Sequence, residues 1–204
     1  MRYYSRFRLT WAVVILSIST SVHGKSVQNS NEMKSVAIIK AAGFIEGQKP
    51  QGVDAITEAT SVGRNVHVIS DALQKELKQL GIKSEIIQFN DTCRIRNILK
   101  DSEIRMIIFA GPAYSSEFPQ QLQKVVPNLR DIILERKIIC TSMTTCRFLG
   151  SGEQTVKSFN NELKDLGIST IDGLVIHHEY EDDDWESKIE AFAERLQQTC
   201  QRPE

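Results

Sequence analysis

An apolar run that ends in glycine and proline carries residues suited to binding a flat ligand. The segment MIIFAGPAYSSEFPQQ (106–121) leaves a predicted buried strand through Gly111, which permits unusual backbone angles, and Pro112, which fixes φ. Ala113 and Tyr114 follow on the turn, and an aromatic side chain displayed there can stack on a planar group. The alternative is an aromatic that caps the edge of the core.

A second segment, EATSVGRNVHV (58–68), combines hydroxyls, a glycine, a guanidinium and an amide just before a predicted helix. A helix N-terminus presents unpaired N–H groups and a partial positive charge, which suit a phosphate. Hydroxyl residues before a helix are also ordinary N-caps, so both interpretations stand. The candidate phosphate ligands are Thr60, Ser61, Gly63, Arg64 and Asn65.

A third segment, TSMTTCRFLGSGEQT (141–155), follows the fourth predicted strand. Thr141 and Ser142 supply hydroxyls, and Gly150 and Gly152 precede a predicted helix. These features favour a ligand-binding loop, and the alternative is a flexible connector.

Short apolar segments alternate with amphipathic ones from residue 35 onward. This alternation predicts an α/β domain over residues 35–202, a three-layer, doubly wound, five-stranded parallel sheet. Ligands of such sheets bind at the carboxyl ends of the strands, so the three segments above should meet there. The predicted strands are 35–43, 83–89, 103–111, 136–143 and 169–177. The predicted helices are 66–81, 94–101, 118–133 (interrupted by Pro127), 153–167 and 185–199.

Residues 1–24 have the pattern of a secretory signal peptide. Three arginines precede the apolar run 11–18, and small residues Val22 and Gly24 suit a cleavage site. The alternative is an uncleaved N-terminal anchor. Cleavage would leave a mobile segment, 25–34, and change the net charge from −1 to −4, which argues against a nucleic-acid partner. We therefore expect an exported protein, periplasmic or secreted, with no membrane contact after cleavage.

Export would place the four cysteines in an oxidising compartment, where bridges Cys93–Cys146 or Cys140–Cys146 are feasible. Cys200, at the far end of the last helix, should not pair with the others. In HHEYEDDDWE (177–186), Asp183 and Glu186 are spaced as a helix capping box, which we favour over a metal site.

The three segments together resemble those of the flavodoxin-like superfamily across the whole chain after the leader. FAGPAYSSEFPQQLQ is similar to its third-strand loop, which contacts the isoalloxazine ring, and TSVGRN to its phosphate loop T-x-T-G-x-T. Val62 and Asn65 depart from that loop, and about twenty residues separate it from the first strand. The resemblance implies strand order 2-1-3-4-5 and an FMN site that includes Phe118, with Tyr114 as the stacking aromatic.

The implied function is electron or hydride transfer through FMN, as a reductase in preference to a carrier. Its partners would be a redox protein or a small quinone-like acceptor. The alternative is a flavodoxin-like interaction module that has lost the flavin, which the departures in the phosphate loop favour.

Overall fold

The structure is a computed structural model that describes residues 35–41, 53–101, 103–113, 116–146, 149–177 and 184–201, with the backbone alone for 53–64 and 149. The predicted leader, the N-terminal segment 25–34, Tyr114 and Asp183 lie outside the described residues.

Five parallel strands form one sheet in the order β2-β1-β3-β4-β5, which confirms the predicted fold class and strand order. The strands are β1 (Ser35–Lys40), β2 (Lys83–Gln88), β3 (Ile104–Pro112), β4 (Ile139–Cys146) and β5 (Leu174–His177). All six residues of β1 are buried, as expected for a central strand that is covered on both faces.

Helices cover both faces of the sheet. They are α1 (Val53–Gln79), α2 (Thr92–Leu99), α3 (Gln120–Glu135), α4 (Leu149–Asp165) and α5 (Trp185–Gln201). Because strand side chains alternate, Val36 and Ile38 face α1 and α5, whereas Ala37 and Ile39 face α2, α3 and α4. The described helices include none that is long and apolar enough to cross a membrane.

Glycine ends two of the helices where the sequence predicts it. Gly81 and Gly167 follow α1 and α4 with φ of 75° and 80°, a conformation that costs glycine little. The N–H groups of Gly81 and Ile82 donate to carbonyls in the last turn of α1, at Lys78 and Leu77. These turns return the chain toward the sheet and so set where β2 and β5 begin.

The predicted interruption at Pro127 is wrong, because α3 runs through it to Glu135. Pro127 is exposed, so the carbonyl of Gln123, which loses its helical N–H partner, is on the side of the helix that water can reach. The apolar residues on the opposite side of α3, among them Leu122, Val126 and Leu129, are buried against the sheet and hold the helix together.

Candidate functional site

The carboxyl edge of the sheet is the place where a ligand of this fold would bind. The chain passes from β1 to β2 on one side and then crosses over β1 to β3 on the other, so the strand order reverses at β1 and the topological switch point lies between the ends of β1 and β3. Lys40 ends β1, opposite Gln88 of β2 and Ala110 of β3. The strands β1, β3 and β4 therefore end at the same edge of the sheet.

The end of β3 is shaped by close packing around Gly111. A Cβ on this residue would lie 2.7 Å from Cγ of Pro119, so only glycine lets the start of α3 approach the strand. The Gly111 carbonyl also accepts a hydrogen bond of 2.8 Å from the Thr144 hydroxyl of β4. Gly111 is thus explained by packing between β3 and α3.

Pro112, which has no backbone N–H, lies at a position where the sheet needs no hydrogen-bond donor. The N–H of Ala113 donates to the Thr145 carbonyl, so by alternation the nitrogen of Pro112 faces the β1 side. On that side β1 has already ended, since Lys40 pairs with Ala110. Ala113 is half-buried at the edge, where its surface is available to a ligand.

Phe118 does not have the displayed position that a ring contact requires. It is 2 % exposed and stacks on Phe159 of α4 with ring centroids 4.3 Å apart and planes 13° from parallel. Phe159 in turn meets Phe109 of β3 edge to face at 5.5 Å. The sequence interpretation is corrected here: Phe118 belongs to the core between α3, α4 and the sheet.

A hydrogen bond joins the two ligand-side loops. The Ser116 hydroxyl lies 3.2 Å from that of Ser151 in the first turn of α4, and Ser116 adopts a φ of 67° that is unusual for a residue with a side chain. This bond ties the loop after β3 to the start of α4.

Thr141 and Ser142 lie well inside β4, away from the carboxyl edge where their role as ligand residues would place them, which is a second correction. Both are fully buried, and five residues of strand, about 16 Å, separate Thr141 from Cys146 at the carboxyl edge. The Thr141 hydroxyl bonds to the carbonyls of Ile171 and Asp172, and that of Ser142 to Asn160. Their hydroxyls stabilise the core and are not available at the edge.

The two predicted glycines of the fourth loop lie in the first turn of α4 and differ sharply. A Cβ on Gly152 would lie 2.5 Å from both Sγ of Cys146 and Cγ1 of Val175. A Cβ on Gly150 would meet nothing within 4 Å, and this residue is exposed. Gly152 therefore permits α4 to approach β4 and β5, whereas Gly150 has room for a side chain and for a ligand.

The segment predicted as a phosphate loop is helical. Because α1 begins at Val53, the predicted helix start near residue 66 is wrong, and the positions Thr60, Ser61, Gly63, Arg64 and Asn65 lie inside α1. The N–H groups of a helix interior bond to carbonyls four residues earlier and are not free to bind a phosphate. No feature of composition marks Val53 as the start of a helix. Gly63 does not end the helix either, because an isolated glycine is tolerated within one.

The cysteines do not form the predicted bridges. Cys140 and Cys146 lie six residues apart in β4, and three strand spacings, about 14 Å, separate β2, next to Cys93, from β4. No disulfide joins any of the four cysteines, all of which lie in the described residues. Burial raises the pKa of the Cys140 and Cys146 thiols, which disfavours reactive thiolates.

Lys40 is a charged residue of this edge that the sequence interpretation did not select. It is 8 % exposed at the switch point, and the half-buried His67 of α1 lies within reach of its charge. Burial, and then the Lys40 charge, lower the pKa of His67, while Asp71 raises it by a smaller amount. A lysine as the last residue of an otherwise apolar strand is the signal that could have found it.

Comparison with known proteins supports the fold. No protein-family model and no curated protein matches the sequence. A Fusobacterium nucleatum flavodoxin bound to flavin mononucleotide is 12% identical with a TM-score of 0.57, covering 82% of this chain and 99% of that one. A flavodoxin of Streptococcus pneumonia is 19% identical with a TM-score of 0.55, covering 81% and 99%. A flavodiiron core from Synechocystis is 17% identical with a TM-score of 0.56, covering 83% of this chain and 38% of that one.

This chain therefore has the flavodoxin-like fold. It spans well under half of the flavodiiron core and nearly the whole of the two flavodoxins.

Proposed function

We propose that this chain, with its flavodoxin-like fold, binds FMN noncovalently at the carboxyl edge of its sheet and acts in electron or hydride transfer. The observation that carries the proposal is the edge itself: β1, β3 and β4 end together there, as the loops of a flavin site require. The structural similarity to a flavodoxin whose structure contains FMN supports the choice of ligand.

The residues of this edge fit the ring of the flavin better than its phosphate. Ala113 is half-buried at the edge, directly after the buried Pro112, and Gly150 leaves open space at the start of α4. Tyr114 is the residue we assign to stacking on the ring. The segment Thr60–Asn65, being helical, does not supply the backbone cradle that a phosphate loop would.

When bound, FMN supplies the one- and two-electron chemistry, and the protein supplies binding, orientation and electrostatics. We propose a reductase in preference to a carrier, because the mildly acidic charge favours docking of basic redox proteins only weakly. Its acceptor would be a small quinone-like molecule or a redox partner protein. The buried thiols of Cys140 and Cys146 take no part.

The second candidate is an interaction module of the same fold that has lost the flavin. The helical conformation of Thr60–Asn65 favours it, because it removes the expected phosphate contacts. The two candidates differ in a single observable, the affinity for FMN.

Titrating FMN with the purified protein separates these candidates. We expect the flavin fluorescence to be quenched to saturation. Tyr114→Ala should raise the Kd about 2- to 12-fold through the loss of stacking, whereas Tyr114→Phe, the matched control, should keep the wild-type Kd. Flavin fluorescence that stays constant throughout the titration would instead support the interaction module.

We also propose that the protein is exported and that cleavage follows Gly24. The basic residues and short apolar run of residues 1–24 support this. Mass spectrometry of protein from the native host should find Lys25 as the first residue, and Val22→Leu should impair cleavage by removing a small residue from the cleavage site. Recovery of the wild-type protein with residues 1–24 attached would contradict the proposal.

A further inference from the structure

We propose that Lys40, with His67, forms an anion site at the switch point that takes a phosphomonoester group, a site that is distinct from the helical segment Thr60–Asn65. The inference deepens the proposed function by assigning the part of the edge that would hold the phosphate of FMN. The chemistry is shared by free phosphate, however, and the site can be tested without any flavin.

The backbone fixes Lys40 firmly at the end of β1. Its carbonyl accepts a hydrogen bond of 3.0 Å from the N–H of Phe89, and the next N–H, that of Ala41, donates to Ala110 at 2.8 Å. Alternation along β1 then directs the Lys40 side chain to the face covered by α1 and α5, the face of Val36 and Ile38. The side chain is held between the edge and α1.

Lys40 is a buried residue whose side chain has no partner among the described residues. The residue is 8 % exposed and makes no hydrogen bond or ion pair with the part of the chain that the structure describes. Removing a charge from water without compensation is strongly unfavourable, so a buried charged group is normally paired. An anionic ligand at this edge would provide the missing partner.

His67 supplies a second polar group to the same place. Its imidazole is half-buried on α1, and its pKa is lowered by burial and by Lys40, so it is neutral at physiological pH. A neutral imidazole still donates one N–H hydrogen bond. A lysine that acts as a point charge beside one such donor is a suitable pair for a phosphate oxygen.

The length of α1 is consistent with this location. Among the residues of α1 whose side chains the structure describes, the buried ones run from Val66 to Leu77, a stretch of about 18 Å that matches the length of β1. Val66 and His67 thus lie near the carboxyl edge, level with Lys40, while the N-terminus of α1 lies thirteen residues earlier. A helix that began near residue 66 would present its free N–H groups at this height above the sheet edge. The anion site we propose uses the side chains of Lys40 and His67 there instead.

The test measures binding of inorganic phosphate and of phenyl phosphate to the full chain by thermal shift at constant ionic strength. We expect both to raise the Tm saturably, and Lys40→Met to weaken binding at least about tenfold, because a hydrogen bond to a charged group is lost. Lys40→Arg should retain most of the shift. Lys124→Met, which removes an exposed lysine of α3, should behave as wild type.

Without ligand, Lys40→Met should have a Tm equal to or above that of wild type, since an uncompensated buried charge is replaced by an apolar chain of similar length. Lys40→Gln and His67→Gln provide second variants with the same expected loss of phosphate binding. A phosphate response that survives in Lys40→Met, Lys40→Gln and His67→Gln overturns the site.

Comparing FMN with riboflavin separates this inference from the proposed function. If the site holds the flavin phosphate, wild type binds FMN more tightly than riboflavin and Lys40→Met removes that preference while leaving riboflavin affinity unchanged. A phosphate response that depends on Lys40 in a protein that binds no flavin supports the anion site and contradicts the flavin proposal. Equal affinities for FMN and riboflavin, unaffected by Lys40→Met, contradict the assignment of the flavin phosphate to this site and leave the flavin proposal intact.

Discussion

Gly152→Ala is expected to destabilise the protein by about 1–3 kcal/mol, although the change adds a single methyl group in a helix. That methyl would lie 2.5 Å from Sγ of the buried Cys146 and from Cγ1 of the half-buried Val175, both of which belong to strands of the sheet. The first turn of α4 must therefore move away from β4 and β5. Chemical denaturation of the ligand-free protein measures the loss, and the midpoint should fall without a change in the m-value.

Gly150→Ala is the matched control, two residues away in the same turn. It is exposed and its Cβ would meet nothing within 4 Å, so the change should be neutral or stabilise by up to about 1 kcal/mol through the lower entropy of the unfolded chain. In a double-mutant cycle, Val175→Ala should recover at least about 0.5 kcal/mol in the Gly152→Ala background. If Gly152→Ala were as stable as Gly150→Ala, the packing explanation would be wrong.

These two glycines show how far sequence could predict the candidate site. Their residue type and their position before a predicted helix made both glycines candidates for a ligand-binding loop. The difference between them comes from Cys146 and Val175, which approach only when β4, β5 and α4 are assembled. Contacts between residues distant in sequence decide the role of a glycine, and no local pattern contains them.

The fold itself could be predicted because its determinants are local. Apolar runs of five or six residues, amphipathic helices and the helix-ending Gly81 and Gly167 are each read within a short window. The right-handed crossover rule then restricts how such units can assemble. The structure confirms all five strands and five helices from these signals, with shifted ends.

The errors at the ends of elements have two physical causes. In β4, the polar residues indicated that the strand ends at residue 143, yet it continues to Cys146, and hydroxyls in it are satisfied by groups far along the chain, such as Asn160 and Gly111. At α1, the hydroxyl residues and Gly63 indicated a segment before the helix, yet the helix already includes them. Tertiary partners override local preference in the first case, and helix continuity overrides it in the second.

Lys40 was missed because a local pattern does not show where a residue lies in the assembled sheet. A single charge in an apolar run carries little weight in a periodicity argument, which treats it as one unfavourable position in a strand. Its importance comes from position: it is the last residue of β1, at the switch point, with its side chain buried. Strand order is needed to see that, and strand order is a property of the whole chain.

Phe118→Ala is expected to have the largest effect of any single change considered, a loss of about 3–5 kcal/mol from the free energy of unfolding. The residue is 2 % exposed, and its ring stacks on Phe159 at 4.3 Å, which in turn contacts Phe109. Truncation would leave a cavity beneath the start of α3 that rigid neighbours on α4 and β3 cannot fill. The Tm should fall by roughly 6–20 °C.

The ligand-free protein is the decisive sample, because the two possible roles of Phe118 differ there. A core residue stabilises the fold whether or not FMN is present, whereas a displayed ring contact would leave the ligand-free Tm unchanged and alter only the affinity for FMN. Phe89→Ala, at a partly buried aromatic after β2, is the control and should lose less stability than Phe118→Ala. Phe118→Leu should recover part of the loss by refilling the cavity. An unchanged Tm for ligand-free Phe118→Ala, together with weaker FMN binding, would contradict the core role of Phe118. It would support the flavin contact that the sequence predicted for this residue.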